Sequence, residues 1–230
     1  RKGLFMFDID AIKQYLYLVP VILISLTFHE YSHAFVSYKL GDPTAKDQGR
    51  LTLNPFKHLD IVGTLMMFIA HVGWAKPVPI NPLYYRDRKK GTILVSIAGP
   101  LSNIILAIIA AIPYFYFRSQ YPVIGNVLFL PNARVEIVYY IIHYFYTVNI
   151  GLAAFNIIPV PPLDGSKILA GLMPSEQYYR FMQYERQISI VFLLLVVVSP
   201  NLISRILYPI TWIIQTAITA IVVPIISLIT

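Results

Sequence analysis

Tyr15-Leu-Tyr-Leu-Val-Pro-Val-Ile-Leu-Ile-Ser-Leu-Thr-Phe-His-Glu-Tyr-Ser-His-Ala-Phe-Val-Ser-Tyr38 is apolar almost throughout, yet two histidines and a glutamate interrupt it near its end. The run is long enough to cross a bilayer, which needs about 20 apolar residues in a helix. Ionisable groups in such a span are costly unless they are partnered, and they mark function by default. His29-Glu30-Tyr31-Ser32-His33 has the form H-E-x-x-H. On a helix, positions four apart share a face, so both imidazoles reach one metal ion while the intervening carboxylate lies beside it. Zinc lowers the pKa of its water toward about 7, and a neighbouring carboxylate can take that proton and pass it to a leaving amine.

The rest of the chain supports a lipid-facing fold. Of its 230 residues, 57% are hydrophobic and only 13% charged, against about 25% in soluble domains. The mean hydropathy is +0.65. Further apolar runs cover 93–117, 135–158, 188–198 and 203–229, with Pro200 and Asn201 marking the turn between the last two. The run at 61–72 is too short for an ordinary span and reads as re-entrant or interfacial. Gly49-Arg-Leu-Thr-Leu-Asn-Pro55 reads as a short strand and turn. The prolines at 77, 79 and 82 make the stretch around Val78 an extended edge. The expectation is an all-α polytopic membrane protein of about five to six transmembrane helices. It carries a small membrane-associated β-containing insertion at about 40–90, all within one integral-membrane domain over 1–230.

The net charge of +7 is read as loops facing anionic lipid rather than as a nucleic-acid surface, because the basic residues cluster between apolar spans. Twelve of the eighteen Lys and Arg residues fall in 39–90 and 167–186. In a five-span arrangement this puts both loops, and the C-terminus, in the cytoplasm. The first apolar run holds the motif and is not a cleavable signal peptide. The opening Arg1 is consistent with missing N-terminal residues.

With no cysteine, a metal site here must use His, Asp or Glu. A catalytic zinc takes three protein ligands and keeps one position open. Most of the acids belong to the polar insertion or to helix starts. Asp164 differs: it follows an apolar run in Asn156-Ile-Ile-Pro-Val-Pro-Pro-Leu-Asp-Gly165, where prolines stop any helix. It is equally placed to cap the next helix. His71 and His143 stand as rival ligands, each a lone histidine in an apolar setting.

Five stretches, taken together, resemble the site-2 protease family of intramembrane metalloproteases in its compact prokaryotic form. They are Phe28-His-Glu-Tyr-Ser-His-Ala34, Gly49-Arg-Leu-Thr-Leu-Asn-Pro55, Trp74-Ala-Lys-Pro-Val-Pro-Ile-Asn-Pro82, Ala98-Gly-Pro-Leu-Ser-Asn103 and Phe155-Asn-Ile-Ile-Pro-Val-Pro-Pro-Leu-Asp-Gly165. The resemblance implies one zinc per chain on His29, His33 and Asp164, with Glu30 as the base and Asn156 near the scissile bond. It also implies regulated cleavage of transmembrane protein substrates in a prokaryotic plasma membrane. The chain has no room between its spans for a PDZ or CBS module. Gly99 and Asn103 read as close helix packing, with Asn103 able to bond a site residue. Asn54, His58 and Asp60 read as turn residues. The alternative is a metal-binding membrane protein or carrier without proteolysis. It would need more polar residues in several spans than those after residue 186 provide.

Overall fold

The computed structural model describes residues 9–70, 73–124 and 127–230. The described chain runs α1 (Ile9–Lys39), α2 (Thr44–Asp47), α3 (Ile61–Ala70), α4 (Arg88–Gln120), β1 (Val123–Ile124), β2 (Val127–Leu128), α5 (Ala133–Ile157), α6 (Asp164–Leu172), α7 (Ser175–Gln183), α8 (Glu185–Val198) and α9 (Pro200–Ser227). Local chemistry sets the ends of the long helices. The Asp87 side chain accepts the Lys90 amide at the start of α4, and Asn132 accepts those of Arg134 and Val135 at the start of α5. Pro159, Pro161 and Pro162 stop α5, and Pro200 opens α9 where its missing N–H costs nothing.

α4 is the central helix, with α1, α5, α6 and α9 all packed on it. Ala107, Ala110 and Ala111 give α4 a flat stripe against Tyr146 and Ile150 of α5 and Ile218, Val222 and Ile226 of α9. Small residues let helices approach closely where lipid supplies no hydrophobic drive. A second cluster of Ile158, Leu163, Phe192, Val196 and Ile203 packs where α5 ends, α8 passes and α9 begins.

These contacts fix the directions. α9 starts beside the end of α5 and finishes beside its middle, so it runs antiparallel to α5. α1 pairs His33 with Val95 and His29 with Asn103, so it runs antiparallel to α4. The end of α1, the start of α4, the end of α5 and the start of α9 therefore share one end of the bundle. The β1–β2 hairpin lies at the other, and α9 runs toward it.

Three expectations are corrected. Among the described residues the 40–90 insertion holds no strand; it has only an isolated bridge between Leu59 and Ala75. The only paired strands among the described residues are the two-residue β1 and β2 after α4. The physical reason is that the backbone groups of 76–81 bond to side chains and loops, as detailed below, and prolines at 77 and 79 have no N–H.

Among the described residues, three helices are long and apolar enough to cross a membrane: Arg88–Gln120, Ala133–Ile157 and Pro200–Ser227. α8, with 14 residues, reaches only about 21 Å, and α3, with 10, only about 15 Å, against a hydrocarbon core of about 30 Å. The span count is thus below five to six. Losing the 188–198 span also moves the C-terminus to the end of the bundle away from the insertion.

The insertion is tied down by a buried carboxylate. Asp42 accepts the Asn81 amide at 2.8 Å, the Ser37 hydroxyl at 2.7 Å, and both the amide and hydroxyl of Thr44. Burial opposes the charge, but these donors outweigh it and hold the carboxyl below its ordinary value. A depressed folded pKa contributes stability that is present above the unfolded value near 3.8 and lost as pH falls through the folded one. The stability gap between wild type and Asp42→Asn should therefore be constant above about pH 5 and narrow as the pH falls below the unfolded value near 3.8, as read by denaturant unfolding in detergent.

The directions of the helices give a second test, since the native chain has no cysteine. Single cysteines at Arg88 and Gln177 should share one accessibility to impermeant thiol reagents. A cysteine at Leu228 should show the opposite one.

Candidate metal centre

Three groups from distant parts of the chain meet at the α1–α4–α6 junction. His29 and His33, one helical turn apart, bring their Nε2 atoms within 3.1 Å of each other. Asp164 Oδ2 lies 3.1 Å from His29 Nε2 and 3.0 Å from His33 Nε2. All three residues are buried. Asp164 is the first residue of α6 but makes no capping bond; the helix is preceded by Leu163, and the Asp164 carboxylate turns to the histidines instead. The capping role that the sequence left open for Asp164 is therefore absent, and its carboxylate faces the two histidines.

Neighbouring oxygens orient the imidazoles. His29 Nδ1 lies 2.7 Å from Asn103 Oδ1, and His33 Nδ1 lies 2.7 Å from the Val95 carbonyl. Both partners are acceptors, so each Nδ1 carries the ring's N–H and donates it. With Nδ1 holding the hydrogen, a ring that carries no second proton has a bare lone pair at Nε2, and the two Nε2 atoms point at each other and at a carboxylate. Three electron donors within 3.1 Å repel one another unless a cation lies among them. Tetrahedral zinc at its usual bond lengths holds ligand atoms about 3.3 Å apart, a few tenths from what is seen here. His29, His33 and Asp164 are the group that fits a metal ion among the described residues.

A buried polar ladder stands behind His29. Asn103 Nδ2 donates to Asn149 Oδ1 at 2.8 Å, and Asn149 Nδ2 donates to Ser25 Oγ at 2.9 Å and to the Phe145 carbonyl at 2.8 Å. These bonds fix which way the Asn103 amide faces, and so the tautomer of His29. Two glycines permit the approach. A Cβ on Gly99 would sit 2.4 Å from His33 Nε2 and 2.6 Å from His29 Cε1, so only glycine lets α4 close on the histidines. A Cβ on Gly165 would sit 2.2 Å from the Ile157 carbonyl, so only glycine lets α6 fold back onto the end of α5.

The remaining sequence candidates fall into place around this group. Glu30 lines a cavity of about 580 Å³ that opens onto the three residues, and its Oε2 accepts the Val78 amide at 2.9 Å. Asn156 lines the same cavity, with its amide donating to the Leu152 carbonyl one turn back. Asp60 accepts the Gly63 amide at the start of α3, Asn54 accepts that of Phe56, and His58 Nε2 donates to the Thr52 carbonyl. His143 packs among Tyr114, Tyr139 and Tyr144, apart from the metal-type group. His71 lies outside the described residues.

Asn149 and Ser25 were missed by the sequence reading. Their signal was present: an amide inside an apolar span, and a hydroxyl one turn before His29 on the same helix face.

The comparisons with known proteins agree with this picture. The profile of peptidase family M50 matches residues 17–198. The chain belongs to that family, as its resemblance to site-2 proteases implied. It is 41% identical over 193 residues to the "Putative zinc metalloprotease YwhC" of Bacillus subtilis, covering 84% of both chains. It is 30% identical to the likewise named Rip2 of Mycobacterium tuberculosis, over 78% of this chain and 66% of that one. It is 24% identical to the "Zinc metalloprotease MJ0392" of Methanocaldococcus jannaschii, over 69% of this chain and 35% of that one. No solved structure gives a significant match.

The ladder makes a direct prediction. Asn103→Ala would leave His29 Nδ1 and Asn149 Oδ1 buried without partners, and should cost about 1–3 kcal/mol of stability. Ser102→Ala loses only a bond to its own helix and should cost under about 0.5 kcal/mol. Denaturant unfolding of the two variants side by side measures the difference.

Proposed function

We propose that the chain is an intramembrane zinc metalloprotease, a single integral-membrane peptidase domain over 1–230. It holds one zinc on His29, His33 and Asp164 and hydrolyses peptide bonds in or near transmembrane segments of other membrane proteins. The observation that carries this reading is the convergence of two imidazole lone pairs and a carboxylate in a chain of peptidase family M50. Bound there, zinc supplies a water of lowered pKa and polarises a carbonyl. Glu30 takes the proton of the attacking water and delivers it to the leaving amine. Asn156, at the cavity wall, swings its amide from the Leu152 carbonyl to the developing oxyanion. A metal carrier has no use for a glutamate outside the ligand set and a cavity beside the ligands, and nothing favours that alternative.

In this reading α1 adds a fourth crossing to the three long apolar helices, and the protein lies in a prokaryotic plasma membrane. Thirteen of the eighteen Lys and Arg residues then lie at the insertion end: those of 39–90 and 167–186, and Arg205. That bias puts the metal end in the cytoplasm and the C-terminus outside. A helical substrate must unwind locally to present a bond to the cavity, and its cleavage releases a cytoplasmic fragment.

Binding and chemistry separate in two variants. His33→Ala should lose most of the zinc. Glu30→Gln should keep about one zinc per chain by metal analysis, yet lose cleavage of a co-expressed transmembrane substrate. Cleavage by Glu30→Gln at the wild-type rate would remove Glu30 from the mechanism.

A further inference from the structure

Residues 76–81 form an extended strap over the metal end of α1, tied at four points. The Lys76 amide donates to the His58 carbonyl at 2.9 Å, and the Lys76 carbonyl accepts from Arg50 Nη2 at 2.7 Å. The Val78 amide donates to Glu30 Oε2 at 2.9 Å, and the Asn81 amide donates to Asp42 Oδ2 at 2.8 Å. Pro77 and Pro79 flank Val78, hold the backbone extended and remove competing donors. The Val78 side chain is itself buried against Ala34 and Ala45, with Leu51 alongside. Ala34 is one turn beyond Glu30 on the same face of α1, so the strap passes over the glutamate at Val78.

Resting on the proposed function above, we propose that the Val78 N–H is a positioning donor for the general base. It grips one carboxylate oxygen of Glu30 and leaves the other for proton transfer in the cavity. Glu30 follows His29 by one residue, so it leaves the helix about 100° around from the ligand face. An untethered glutamate there would spread over several rotamers, few of them within hydrogen-bond reach of a water beside the histidines. The strap selects one of these. It acts on the base through a backbone amide, which no side-chain pattern in the sequence records.

The test compares Val78→Pro, which deletes the amide hydrogen, with Val78→Ala, which keeps it and trims the side chain. Both are assayed as full-length, zinc-loaded protein in detergent on a transmembrane peptide. Val78→Pro should keep wild-type zinc content and a KM within about twofold, while kcat falls about ten- to a hundredfold through misplacement of the base. Val78→Ala should keep kcat within about threefold. Equal losses of kcat in both variants would mean that packing, not the N–H, matters, and would overturn the proposal. A loss confined to KM, or an unchanged kcat in Val78→Pro, would overturn it too.

Should Val78→Pro fail to fold, Arg50→Gln frees the strap two residues earlier. A fall in kcat with unchanged KM and zinc supports the proposal, and wild-type kcat contradicts it. If zinc-loaded wild type cleaves no substrate, the protease reading itself fails, and that is visible before any variant is compared.

Discussion

Two bare imidazole nitrogens and a carboxylate oxygen held within 3.1 Å of one another, inside a bundle with an apolar exterior, would repel each other without a cation. The surrounding structure is organised to impose that arrangement. The Val95 carbonyl and the Asn103 side chain take up the Nδ1 hydrogens, so both lone pairs must face inward. Gly99 removes the one side chain that would push the rings aside, and Gly165 lets Asp164 arrive from a separate helix. A metal ion turns this unfavourable convergence into a bonded centre, so metal binding and folding of the α1–α4–α6 junction are expected to be coupled.

The same economy governs the insertion. It looks irregular because its backbone groups are satisfied by side chains rather than by a sheet. Asp42 gathers Ser37, Thr44 and Asn81, and Glu30 gathers Val78. Two carboxylates, one in α1 and one just past its end, thereby hold the strap across the cavity. An unpaired buried amide would be costly, so these bonds are also what makes a proline-rich segment stay folded against the bundle.

The His29–His33 pair was legible in the sequence because its cause is local. The spacing of His29 and His33 puts both on one helix face, and ionisable residues in an apolar run require partners. Asp164 stood out by its prolines and by family resemblance, but its sequence alone was equally that of a helix cap. The insertion misled for a related reason. Alternating apolar residues and prolines encode an extended backbone, whereas a strand also needs a neighbour with free N–H and C=O groups, which is a tertiary fact. The span at 188–198 was misjudged because hydrophobicity does not tell a crossing from a short helix packed beside Ile158 and Leu163. Asn149 was overlooked because its partners, Asn103 and Ser25, are 46 and 124 residues away.

X-ray absorption at the zinc edge of purified, unchelated protein tests the centre most directly. The account predicts a first shell of two imidazole nitrogens and one or two oxygens at about 2.0–2.2 Å, with the imidazole count unchanged and one oxygen altered in Asp164→Ala. A shell of oxygens alone, or a spectrum that Asp164→Ala leaves untouched, would contradict it.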